Sequence, residues 1–150
     1  MDTINLILPF PPSVNSAYAT VIKGRKPIRI KAKNLKEWIK AAPIFEDIKA
    51  SESVFISYNL YFPDNRARDG QNYMKVVLDY IVEQGILEDD NRKFVRGEQW
   101  LDMGNDIENP RVELMIKGVD GIWETMRKAM IYMAETWKPK LEHKENGDVY

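Results

Sequence analysis

The apolar positions of the chain fall into short runs and helical repeats whose spacing predicts most of its elements. TINLIL at 3–8 predicts a first strand, closed by Pro9 and by Pro11 and Pro12. PPSVNSAY after it predicts a loop, with turn chemistry in Ser13 and Asn15. Residues 19–22 and 27–31 predict a hairpin across Gly24, and IRIK alternates as a half-buried strand does. Leu35, Trp38 and Ile39 give 33–44 a helical spacing that stops near Pro43. VFISYNLYF at 54–62 is the clearest strand, rich in β-branched and aromatic residues. A charged loop, 63–69, leads to a helix over 70–84 that Gly85 ends. Residues 94–100 predict a strand, 102–110 a loop, and RVELMIK at 111–117 a last, cleanly alternating strand. An amphipathic helix over 121–137 carries Ile122, Met126, Met130 and Met133 on one side and stops at Pro139, before a polar tail. The order β-β-β-α-β-α-β-β-α predicts an α/β chain of the α+β kind: one domain, a mixed sheet and helices packed on one face.

The helix over 70–84 carries the chemistry. Residues three and four apart share a helix face, so Asn72, Lys75 and Asp79 form one polar stripe with Gln71 close by. Tyr73, Met74, Val76, Val77, Leu78, Tyr80, Ile81 and Val82 make the rest apolar, as in a buried helix. A lysine and an aspartate on such a helix cost free energy unless paired or used. Asp69 stands before the helix and Asp89 and Asp90 stand after it, with Arg66 and Arg68 ahead. Carboxylates at both ends, a lysine between and arginines in front suggest metal-assisted chemistry on a phosphate. A plainer account stays open for each: Lys75 and Asp79 as a self-satisfying pair, Asp69 as a helix cap, and Asp89 and Asp90 as turn residues.

Composition narrows the field. With 150 residues, 44% hydrophobic and 30% charged, the chain reads as one globular domain. No apolar run is long enough to span a bilayer and no signal peptide opens the chain, so a cytoplasmic location is expected. The absence of cysteine removes disulfides, thiolate metal sites and cysteine nucleophiles. The single histidine, His143, lies in the polar tail, so a Ser-His-Asp triad lacks a well-placed base. The net charge of −1 conceals an asymmetry. Of 22 basic and 23 acidic residues, residues 1–40 hold eight and two, leaving 14 and 21, so the first part is +6 and the remainder −7. Lys23, Arg25 and Lys26 at the hairpin therefore suggest a phosphate-binding patch, the alternative being an ordinary solvated hairpin.

Three segments, in this order, resemble the RusA family of Holliday-junction resolvases. PFPPSVNSAY is similar to the family's Pro-Pro-Ser-x-Asn loop. RARDGQN, followed by Lys75 and Asp79, is similar to its Arg-rich Asp-x-Asp-Asn-x-x-Lys-x-x-x-Asp segment, and GILEDD to its Gly-x-x-x-Asp-Asp. The resemblance covers about residues 3–117. It leaves a nuclease domain over 1–120 and 121–150 as a helical extension with a polar tail. It implies a homodimeric, Mg²⁺-dependent endonuclease that binds four-way DNA junctions and nicks two strands symmetrically, in recombination and repair. Asp69, Asp90 and Lys75 would be catalytic, and Asp69, Asp89, Asp90 and Gln71 would face the metal. Asn15, Lys23, Arg25, Lys26, Arg66, Arg68 and Asn72 would contact DNA. The sequence departs from the pattern at Gln71, where the family has its second aspartate. An amide oxygen can ligate a hard cation but brings no charge, so weaker metal binding is expected, and a junction binder that cuts poorly is the alternative reading.

Overall fold

The computed structural model describes residues 1–136. Trp137, Pro139, His143 and the polar tail expected at the end of the chain lie outside the described residues. The chain divides into a unit spanning Met1–Asp120 and a second unit that begins at Gly121.

In the first unit β1 (Ile4–Pro9), β4 (Val54–Phe62), β5 (Val95–Asn105) and β6 (Arg111–Gly118) form a mixed sheet in the order β1-β6-β4-β5. β6 runs antiparallel to both β1 and β4, while β4 and β5 are parallel. β2 (Tyr18–Lys23) and β3 (Lys26–Lys31) form a separate two-stranded ribbon. The expectation of a mixed sheet in an α+β chain is met, with the ribbon standing apart from it. Gly24, at φ 66°, makes its turn, a conformation that side chains disfavour.

One side of the sheet is the core. Strand side chains alternate between faces, so Leu6 and Leu8, Ile56, Tyr58 and Leu60, and Val112, Leu114 and Ile116 all point one way and are buried. α3 (Gln71–Glu83) covers them with Tyr73, Val76, Val77, Tyr80 and Ile81. α2 (Lys33–Ala41) adds Leu35 and Trp38. The Trp38 ring lies 5.2 Å from that of Tyr80, edge-on, and its Nε1–H donates to the Pro9 carbonyl at 2.9 Å. The opposite face carries Asn5, Ile7, Glu113 and Met115, with Ile7 and Met115 exposed.

Three sequence expectations change. Val14–Ala17, expected as loop, forms a one-turn helix, α1, in which the Ala17 N–H reaches the Ser13 carbonyl at 2.8 Å. The expected loop after residue 101 begins later, because β5 continues to Asn105 against β4. α2 ends at Ala41 and not at Ile44, since Pro43 disfavours helical geometry in the residue before it. In the second unit α4 spans Trp123–Thr136. No helix among the described residues is long and apolar enough to cross a membrane.

The start of α3 depends on a close approach. Gly70 lies against the indole ring of Trp100, and a Cβ there would fall well inside van der Waals contact. Alanine is the better helix former, yet overpacking of this kind typically costs about 1–3 kcal/mol. Gly70→Ala is therefore expected to lower the urea midpoint with an unchanged m-value; an unaltered midpoint would show that the ring can move aside.

Candidate active site

α3 buries its apolar sides and turns one stripe outward, and the polar groups collect there. Lys75 projects from its middle. Its Nζ lies 2.7 Å from Asp79 Oδ1 and 2.5 Å from Asp90 Oδ2. Asp79 is one turn along the same helix. Asp90 reaches back from the segment that follows Gly85, whose φ of 77° lets the chain reverse. The buried pair Ile86 and Leu87 then fixes that segment to the core. Partial burial pulls the Lys75 ammonium toward neutrality, but hydrogen bonds to Asp79 and Asp90 outweigh it and hold the group above the ordinary lysine value. Asp90 moves the other way: the hydrogen bond and charge of Lys75 hold its carboxyl below the usual range.

Asp79 has a second partner. Its Oδ2 accepts the Tyr18 hydroxyl at 2.7 Å, from the first residue of β2. Burial, then the hydrogen bond to Asp79, pushes the Tyr18 hydroxyl up to about 12, so it remains a donor. The chain of contacts thus runs Tyr18, Asp79, Lys75, Asp90.

The other candidates sit around this chain. Asp69 stands one residue before the N-cap of α3, Gly70, with its Oδ1 accepting the Gln71 N–H at 3.0 Å and its carbonyl the Asn72 N–H at 3.1 Å. Its Oδ2 has no hydrogen-bond partner among the described residues. Asp89 is engaged in its turn, with Oδ1 accepting the Asp90 N–H at 2.7 Å and Oδ2 the Asn91 amide at 2.6 Å. Asp89 and Asp90 line a shallow cleft with Tyr18, Lys31, Asp79 and Glu83. Gln71 and Lys75 line a neighbouring cleft with Glu98 and Trp100 of β5. There Glu98 accepts the hydroxyl of the fully buried Tyr58 at 2.6 Å.

Among the described residues no three carboxylate or imidazole groups converge into a metal cage. The donor chemistry still suits Mg²⁺. That ion takes hard oxygen ligands and rests on one or two carboxylates together with waters and substrate phosphates. Asp69 and Asp90, each with a second carboxylate oxygen, and Gln71, with its amide oxygen, are the residues that would offer such ligands.

Of the expected DNA contacts, Lys23, Arg25 and Lys26 stand exposed at the tip of the ribbon, and Asn15 is exposed on α1. Asn72 is half-buried near the start of α3. Arg66 and Arg68 are both engaged with Asp64. Arg66 Nε donates to Asp64 Oδ2 at 3.0 Å, and Arg68 Nη2 to the same oxygen at 2.9 Å. Hydrogen bonds from Arg68, then Arg66, hold the Asp64 carboxyl far below its usual range. The Arg68 side chain is 12% exposed and serves the loop, while Arg66 at 78% still faces solvent. Tyr18, Asp64 and Glu98 escaped the sequence analysis. Asp64 to Arg68 at four-residue spacing was a usable signal; Tyr18 and Glu98 meet their partners across 61 and 40 residues and left none.

The linkage of Asp90 to Lys75 sets a pH dependence. A carboxyl whose folded pKa is depressed contributes stability that is present above its unfolded pKa and lost as pH falls through the folded value. Lys75→Met removes that contribution, so its Tm is expected to fall less steeply than wild type below about pH 4. The pair is half-exposed, so the difference should stay within about 1 kcal/mol. Calorimetry from pH 6 to pH 2 checks this, and parallel acid limbs would count against the pairing.

The family described as Endodeoxyribonuclease RusA matches residues 9–117. The chain is also 30% identical over 99 residues to the crossover junction endodeoxyribonuclease rusA of Enterobacteria phage HK97, across 61% of this chain and 78% of that one. The family match runs from the end of β1 through β6 and takes in α3 with both of its flanking acidic segments, so the chain belongs to the RusA family of endodeoxyribonucleases.

Proposed function

We propose that the protein is a Mg²⁺-dependent endodeoxyribonuclease that resolves four-way DNA junctions by paired, symmetric nicks, acting as a homodimer. The observation that carries this reading is the Lys75 ammonium held between Asp79 and Asp90, on a helix that begins at Asp69.

The chemistry is hydrolysis of a phosphodiester. Asp69, Asp90 and Gln71 would hold Mg²⁺, which when bound polarises a phosphate oxygen and lowers the pKa of a bound water. Lys75 stays protonated at any physiological pH and meets the negative charge that builds on the phosphoryl oxygens. With its ammonium fixed by two carboxylates, it needs little reorganisation when that charge appears. Asp69 is held at the helix start by its bond from the Gln71 N–H, so its remaining oxygen has a fixed base. Lys23, Arg25 and Lys26 on the ribbon, and Arg66 beside the site, would meet backbone phosphates. A junction has no unique base sequence, so recognition rests on shape and backbone contacts. A two-fold dimer places two such sites on opposed strands.

Gln71 favours a second reading, a junction-binding protein that cuts weakly. The site has lost one carboxylate where the family pattern has two, and a neutral amide attracts Mg²⁺ less. Glu98 lies in the same cleft as Gln71 but on β5, whereas Gln71 begins α3.

A labelled mobile four-way junction with Mg²⁺, beside a linear duplex of the same sequence, separates the readings on a denaturing gel. Paired nicks on the junction alone are expected; tight binding without nicks would select the second reading. Gln71→Asp is expected to lower the Mg²⁺ concentration at half-maximal rate by about tenfold. An unchanged Mg²⁺ dependence would show that Gln71 costs nothing. Sedimentation equilibrium should give twice the chain mass, and a monomer at micromolar concentration would remove the symmetric mechanism.

A further inference from the structure

The ribbon of β2 and β3 grips the helix that carries Lys75. Tyr18 and Lys31 are cross-strand partners, the lowest rung of the ribbon. The Tyr18 hydroxyl donates to Asp79 Oδ2 at 2.7 Å. Lys31 Nζ lies 2.6 and 2.7 Å from the two carboxylate oxygens of Glu83. Asp79 and Glu83 are four residues apart, on successive turns of the polar stripe of α3. One rung of the ribbon therefore holds two turns of the helix. The rung is itself braced: the Arg29 guanidinium stacks over the Tyr18 ring at 4.0 Å, and the Ala32 N–H reaches the Ala17 carbonyl at 2.8 Å. Beyond the rung, residues 19–30 are exposed up to the cationic tip.

Asp79 is the shared member. One oxygen takes the Tyr18 hydroxyl and the other takes Lys75, which continues to Asp90 at 2.5 Å. A carboxylate with one oxygen pinned loses its freedom to rotate about the bond to its Cβ. The oxygen facing Lys75 then stays in place, and with it the ammonium.

We propose that Tyr18 is the positioning residue for Lys75: by fixing Asp79 it aims the ammonium, and it joins the phosphate-binding ribbon and the cleavage site into one mechanical unit. The kinetic part rests on the nuclease reading above; the geometric part does not. Tyr18 touches neither substrate nor metal in this scheme and acts only through Asp79. Binding and chemistry should therefore separate. The cations of the ribbon supply affinity, while the rung supplies rate.

The test is single-turnover cleavage of a saturated four-way junction by Tyr18→Phe, which keeps the ring and its stacking on Arg29 and removes one hydroxyl. The expected result is a rate lower by about tenfold, the usual scale for a group that orients a functional one, with the junction Kd within about twofold of wild type, since no phosphate contact is lost. Placed in an Asp79→Asn background, Tyr18→Phe should add nearly nothing, because the two act as a unit. An unchanged rate overturns the proposal, and so does an effect equally large in the Asp79→Asn background, which would mark a general structural role. If the wild type itself does not cut, the nuclease reading fails and a second measurement decides the positioning. The ¹⁵N-detected ammonium resonance of Lys75, assigned through Lys75→Arg, is sharp only when the NH₃⁺ is held. Its loss in Tyr18→Phe supports the proposal, and its persistence overturns it.

Discussion

A helix that buries Tyr73, Val76, Val77, Leu78, Tyr80 and Ile81 has only one side left for polar groups, and that constraint organises the molecule. Whatever is charged on α3 must share a single stripe, so Lys75 and Asp79 are forced together before any function is considered. Both side chains still meet water, so the pair ties the two residues together at the ~1 kcal/mol scale of a surface ion pair. The sheet beneath makes the same demand from the other side. β4 is buried along one face from Val54 to Phe62, and the covering helix cannot rotate without exposing that face. The contact of Gly70 with Trp100 sets where the helix begins, and the buried Ile86 and Leu87 set where the returning chain lies. Packing thus sets Asp69 at the start of the stripe and Asp90 beside Lys75 in its middle.

Local pattern made this much visible in advance. The alternation of RVELMIK and the β-branched run of VFISYNLYF marked two strands that do pair, in antiparallel register. The stripe of Asn72, Lys75 and Asp79 follows from helical periodicity alone. The sequence places Asp90 in the same site as Lys75 but gives no bond between them, since no periodicity connects residues on either side of a reversal. What stayed hidden is non-local. Nothing around Tyr18 announces a bond to Asp79, because the approach of the ribbon to α3 depends on packing between them. The extension of β5 past Trp100 was hidden for a related reason. MGN at 103–105 has weak strand propensity and is held extended by its parallel neighbour β4. Asp69 and Asp89 each admit two readings, and both make local bonds, Asp69 Oδ1 to the Gln71 N–H and Asp89 to the Asp90 N–H and the Asn91 amide.

Charge is distributed by tether length. Arg66 and Arg68 close the loop before α3 by sharing Asp64, so part of their charge is spent on fold. Lys23, Arg25 and Lys26 stand at the far end of the ribbon with no carboxylate in contact among the described residues, so nothing nearby cancels their field.

The order of strands has a consequence for synthesis. β6 lies between β1 and β4, so the centre of the sheet is the last strand to be made. Until residue 118 has left the ribosome, β1 has no neighbour in the sheet and β4 shows an open, apolar margin toward its missing partner. A nascent chain emerging at about 5–20 residues per second carries that unpaired margin for seconds after β4 appears. Strand addition from another chain is the characteristic hazard of such an interval. The sheet cannot close before β6 is made, because that strand alone bridges β1 to β4.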